Sequence, residues 1–148
     1  MASLGVSLLF NASCAAPRAC AGGIFTDTAR SGDVDPGSRP TVRRQRRVEV
    51  DFARVLPPGE GTAPRLTFNL FSDVCVIAQR ERATEPGRGP VRWEGRVAGL
   101  SPGTAVLVID GTIMVGTIRI GSEVYEIRYL GAGVHVVIDV DPSKFPRD

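Results

Sequence analysis

The chain is expected to be all-β, an antiparallel meander of about eight strands forming a sandwich or an open barrel. Three observations carry this expectation. Apolar and polar residues alternate at period two through most of residues 47–141. Glycine-containing turns punctuate that stretch at short intervals. No segment of 48–148 carries the 3.6-residue apolar stripe of an amphipathic helix.

Val48, Val50 and Phe52 alternate with Arg47, Glu49 and Asp51, the pattern of a half-buried strand that Pro57-Pro58-Gly59 ends. Leu66, Phe68 and Leu70 alternate with Thr67 and Asn69 in a second strand. Val74 to Ala78 is apolar on both faces and runs into Gln79-Arg80-Glu81-Arg82, a strand buried at one end and wet at the other. After the loop Pro86–Pro90, Val91, Trp93 and Val97 share one face, with Arg92, Glu94 and Arg96 on the other. Ala105 to Ile109 reads as a core strand. Asp110-Gly111 predicts a type I′ hairpin turn into the strand Ile113 to Ile120. Gly121-Ser122 predicts another two-residue turn before Val124 to Leu130, and Gly131-Ala132-Gly133 leads to the last strand, Val134 to Val140. Glycines 95, 99, 103, 111, 116, 121, 131 and 133 read as turns, bulges or close backbone approaches.

The remainder divides around this module. Residues 1–23 read as a clipped export signal: Leu4–Phe10 is a short apolar run and Ala19-Cys20-Ala21 fits a cleavage site, but the basic start is missing. Residues 24–46 read as a flexible Arg/Pro/Gly-rich linker, which makes the N-terminal part disordered. Residues 47–141 form the β-rich module, and 142–148 an exit segment toward a following domain. The basic excess lies in residues 1–47, with seven Arg against three Asp. The run Arg43-Arg44-Gln45-Arg46-Arg47 lacks the interleaved aromatics of a base-stacking surface and reads as a solvated charge run, so no nucleic-acid partner is expected. No apolar run is long enough to span a bilayer, so stable membrane insertion is not expected.

Few residues are suited to chemistry. His135 is the only histidine, which excludes a histidine-rich zinc motif within this chain. It shares a strand face with Val137 and Asp139 and reads as a surface histidine beside a carboxylate, the sharper alternative being a pH sensor in an interface. Three cysteines, Cys14, Cys20 and Cys75, do not suggest a disulfide framework. Cys75, between Val74 and Val76, reads as a small buried hydrophobe, against the alternative of a thiolate that blocks a zinc ion. Asp139 and Asp141 are too few for a calcium cage. Trp93 is expected to be the largest core side chain. No catalytic, metal-binding or cofactor-binding residues are assigned.

A spaced set of short motifs then carries a resemblance. It comprises Asn69–Val74, Trp93–Gly99, Val106–Gly111, Gly116–Arg119, Tyr125–Arg128, Gly131–His135 and Asp139–Ser143. Over residues 47–146 the chain resembles the N-terminal prodomain of secreted bacterial zinc metalloproteases of the reprolysin-like or peptidyl-Asp metalloendopeptidase kind. Ser72 departs from the pattern, which more often has Asp there. The resemblance implies a secreted or periplasmic, non-catalytic module that assists the folding of a zinc metalloprotease catalytic domain and inhibits it. The partner-contact segment is then expected to comprise His135, Asp139, Asp141, Pro142, Ser143, Lys144, Phe145 and Pro146. A strand added to an exposed sheet edge would be one way to hold the partner. The rival reading is an extracellular β-sandwich binding module, with Trp93, Tyr125 and Tyr129 as its only candidate aromatic platform.

Overall fold

The computed structural model describes residues 20–33, 35, 37–99 and 103–146. The motifs at the N-terminal end, the export-signal segment up to residue 19 and Cys14, lie outside the described residues. Among the described residues, nine strands form one continuous antiparallel sheet: β1 (Phe25–Asp27), β2 (Val42–Val50), β3 (Arg65–Phe71), β4 (Val74–Ala83), β5 (Val91–Val97), β6 (Gly103–Asp110), β7 (Ile113–Ile120), β8 (Glu123–Gly131) and β9 (Val134–Val140). Their spatial order is β1-β2-β9-β8-β7-β6-β5-β4-β3. The all-β meander is borne out, and the choice between sandwich and barrel falls to a nearly closed barrel.

From β3 to β9 each strand pairs with the next in sequence, as period-two segments joined by tight turns should. The long-range step is between β2 and β9, which places the second strand beside the last. A one-turn helix, α1 (Phe52–Val55), follows β2, so Phe52 leaves the strand expected to contain it. Asp51 caps that turn, and the chain then crosses to β3 at the opposite edge of the sheet.

The edges β1 and β3 meet there. The Ile24 N–H donates to the Thr67 carbonyl at 3.1 Å. The Phe25 N–H donates to Asn69 Oδ1 at 2.9 Å, and Asn69 Nδ2–H donates to the Phe25 carbonyl at 2.7 Å. One amide side chain thus supplies the donor and acceptor that a neighbouring strand would present. Arg46 adds donors to the Asn69 and Leu70 carbonyls. The disulfide Cys20–Cys75 fastens the chain just before β1 to β4. β1 and β3 are thus engaged on each other where they meet.

The core is the barrel interior, and Trp93 is fully buried as expected. Its indole N–H donates to the Ala63 carbonyl at 2.9 Å, and its ring meets Phe68 edge-on at 6.3 Å. Gly95 makes room for it, since a Cβ there would lie 2.3 Å from the indole. Tyr125 and Ile127 also face inward, so neither Trp93 nor Tyr125 is available as an aromatic platform.

Two expectations need correction. Residues 24–46 are not simply a linker, because they contain β1 and the start of β2, and Ile24 and Phe25 are buried. The period-two signal was hidden because Arg44 and Arg46 occupy positions whose register neighbours on β9 are inward-facing, and arginine stems can cover apolar surface. The connecting stretch also packs: Arg30 donates to the Ala132 carbonyl, and a Cβ on Gly32 would strike Leu130. The second correction concerns turns. Asp110 pairs with Ile113, so the turn residues are Gly111-Thr112, with positive φ at Gly111 only, which is the type II′ pattern. The turn with two positive φ angles is instead Ala132-Gly133, between β8 and β9.

Candidate functional site

The expected contact residues separate into two places on β9 and beyond. His135 and Asp139 share a strand face but are four residues apart, roughly 13 Å along an extended chain. They do not converge on a common reacting position.

His135 is fully buried, which corrects the expectation of a surface histidine. The ladder between β7 and β8 ends at the Gly116–Ile127 pair, and the Met114 N–H beyond it donates to His135 Nε2 at 3.1 Å. A histidine side chain thus replaces a missing ladder bond across the barrel. Its ring lies between Tyr129 and Phe52, with centroids 5.1 and 5.9 Å away. Because Nε2 accepts, the proton resides on Nδ1, which has no hydrogen-bond partner. Burial pushes the imidazole pKa below its ordinary value, opposed more weakly by the Gly133 backbone.

Asp139 lies at the other end of β9, where a bulge in β2 prepares its surroundings. Val42 pairs with Val140 and Arg44 with Asp139, so Arg43 is the extra residue. The bulge lets consecutive arginines reach one carboxylate. Arg43 approaches Asp139 at 3.4 Å and Arg44 at 3.1 Å. Arg43 also pairs with Glu123 at 2.8 Å and with Asp141 at 3.5 Å. Arg44 pairs with Asp73 at 2.7 Å and stacks over the Phe71 ring at 4.1 Å. The basic run therefore lies within β2, and Arg43, Arg44 and Arg46 pair with Asp139, Glu123, Asp141, Asp73 and Asp27 instead of standing as a solvated run.

The exit segment begins on this network. The Asp141 N–H donates to the Thr41 carbonyl at 2.7 Å. Its carboxylate accepts from the Ser143 hydroxyl at 2.6 Å and the Ser143 N–H at 3.0 Å, capping a 3₁₀ turn at Pro142–Lys144. The Ser143 hydroxyl bond is the main reason the Asp141 pKa lies below the usual carboxylate range, with the Ser143 N–H and Arg43 adding to it. Asp73 is lowered chiefly by its bond from Arg44. Ser143, Lys144, Phe145 and Pro146 are exposed, and Pro142 is half-buried.

This arrangement ties the start of the exit segment to the barrel. Asp139 and Asp141 each pair with arginine, Asp139 with Arg43 and Arg44 and Asp141 with Arg43. Among the described residues no group of three or more His, Cys, Asp or Glu could hold a metal ion. Cys75 is half-buried and bonded to Cys20, which overturns both the buried-hydrophobe reading and the zinc-blocking thiolate. Sequence reasoning found Asp139 and Asp141 but missed Arg43, Arg44, Asp73 and Glu123 as their companions. The arginine run was the available signal, but the bulge that directs it is not legible in a linear pattern.

No family model matches the chain, and no solved structure matches it significantly. One curated relative does: a peptidyl-Asp metalloendopeptidase of Xanthomonas campestris pathovar campestris, 25% identical over 123 residues. The match covers 75% of this chain and 28% of that enzyme, so the chain spans under a third of its relative's length. The chain is thus distantly related to a bacterial metalloendopeptidase. The Cys20–Cys75 disulfide fits an oxidising, extracytoplasmic compartment. No helix among the described residues is long and apolar enough to cross a membrane.

Proposed function

We propose that this barrel is a secreted or periplasmic, non-catalytic prodomain-like module that assists folding of a zinc metalloprotease catalytic domain and restrains it. One observation carries the reading. Three quarters of the chain is similar to a metalloendopeptidase, yet its single histidine is buried against Met114. The shared part is therefore suited to accompany a zinc site elsewhere, not to form one.

The exit segment supplies the physical means. Arg43, Thr41 and Ser143 fix Asp141 to the barrel, and the exposed residues Ser143–Pro146 leave from that fixed point. A tether that starts in a defined direction raises the effective concentration of barrel and partner for each other. Within the expected contact segment, direct contact falls to Pro142–Pro146. His135 and Asp139 support the wall behind it.

The test uses the catalytic domain of the Xanthomonas metalloendopeptidase, refolded from denaturant with and without this chain. The expected result is a higher yield of folded enzyme, with peptidase activity suppressed while the barrel is bound. Deleting residues 141–148 should weaken that suppression while leaving the barrel folded. Equal yield and activity with and without the chain would remove the proposal.

A further inference from the structure

The outward wall of β5–β8 carries an apolar strip that the proposed protease contact does not use. Val108, Ile113 and Val115 are 37%, 41% and 41% exposed, and Val106 beside them is half-buried. By contrast, the outward residues of β9, Val134, Val136, Ile138 and Val140, are buried in a second cluster with Val124 and Leu130.

The register arranges the outward side chains of β5–β8 in two rows. Arg92 pairs with Val108, and Val108 with Val115. Arg128 completes that row on β8, one residue past the Gly116–Ile127 pair. In the adjacent row, Glu94 pairs with Val106, Val106 with Thr117, and Thr117 with Glu126. One row thus reads Arg-Val-Val-Arg across four strands and the next reads Glu-Val-Thr-Glu. Within the chain, Arg92 pairs with Glu94 and Arg128 with Glu126. An apolar centre flanked by charged residues is the usual anatomy of an interface.

We propose that this wall binds a second copy of the same chain through a two-fold axis that lies across the strands, midway between the rows. That operation lays the arginine row of one copy on the glutamate row of the other. Arg92 meets the second copy's Glu94, Arg128 meets its Glu126, and Val108 meets its Val106. An axis along the strands would instead place Arg92 over Arg128 and Glu94 over Glu126, like on like. The charge pattern therefore selects one self-complementary arrangement, as an isologous interface requires. The barrel wall is convex and the strip narrow, so the interface belongs below about 1,200 Å² in total, the range of weak association.

The test is sedimentation equilibrium of the intact chain up to on the order of 1 mM, in low salt and again near 0.15 M, because surface charge pairs weaken as salt screens them. The apparent mass should rise toward twice the monomer as concentration increases. V108K/V115K should stay monomeric with its thermal midpoint unchanged, since both side chains are exposed. R92E makes both β5 positions acidic and E94R makes both basic, so each variant alone should associate at least roughly tenfold more weakly, a change of about 1.4 kcal/mol. Mixed one to one, the two should form a heterodimer at least as tight as the wild-type pair. A wild-type chain that remains monomeric throughout would overturn the proposal. So would a dimer indifferent to V108K/V115K, or a mixture of R92E and E94R that fails to associate.

Discussion

Acidification should weaken this barrel through His135. The perturbation is protonation of an imidazole that is fully buried and accepts the Met114 N–H through Nε2. A protonated ring cannot accept that bond, no hydrogen bond reaches Nδ1, and the Gly133 backbone offsets the cost of burial only in part. Leaving a buried N–H unpaired costs about 1–3 kcal/mol. The pKa is lowered in the folded state by burial, so the unfolded chain binds the proton first. Stability from this residue is therefore complete above the ordinary histidine pKa, near 6.5, and is lost as pH falls below it toward the folded value. Urea unfolding followed by Trp93 fluorescence, with the disulfide kept oxidised, measures this at pH values of about 7.5 and 5. His135→Leu should be less stable than the wild type at the higher pH by about 1–3 kcal/mol, because Met114 loses its acceptor. The difference should shrink at the lower pH, where the wild type carries its own penalty. For a chain of this size each kcal/mol corresponds to about 2–4 °C in thermal midpoint. His135→Gln, whose amide oxygen can accept, should recover part of the loss without the pH slope. Equal pH slopes in wild type and His135→Leu would refute the reasoning.

Three further outcomes follow from other parts of the barrel. Replacing Cys20 and Cys75 by Ser opens a covalent loop closed across 55 residues, for which chain entropy gives a loss of about 4 kcal/mol; denaturant midpoints with and without reductant should show that only the wild type responds. Asp139→Asn leaves Arg43 and Arg44 facing a neutral amide; the expected loss is about 1–3 kcal/mol, less than for a fully buried pair because both arginine side chains are 40% exposed, and calorimetry that shows no change would deny the network a stabilising role. Ala132 has a φ of 52° without glycine's freedom, so Ala132→Gly should stabilise the β8–β9 turn by up to about 1 kcal/mol, seen as a raised thermal midpoint.

The amino-acid sequence by itself determined the meander. Period-two patterning and two-residue turns are local properties, so β3 to β9 were legible from alternating residues such as Leu66-Phe68-Leu70 and Val91-Trp93. The burial of Trp93 followed from the same alternation, whereas the close approach at Gly95 is seen only in the fold. Tertiary structure alone decided what depended on residues far apart in sequence. Arg43 and Arg44 form part of a strand only because β9 lies beside them and a bulge directs both to Asp139. Cys20 and Cys75 pair only because the barrel brings its edges together. His135 is buried because the β7–β8 ladder ends where its ring can reach the Met114 N–H. In each case a polar residue found its partner across the fold, and a one-dimensional pattern contains no distance between such residues.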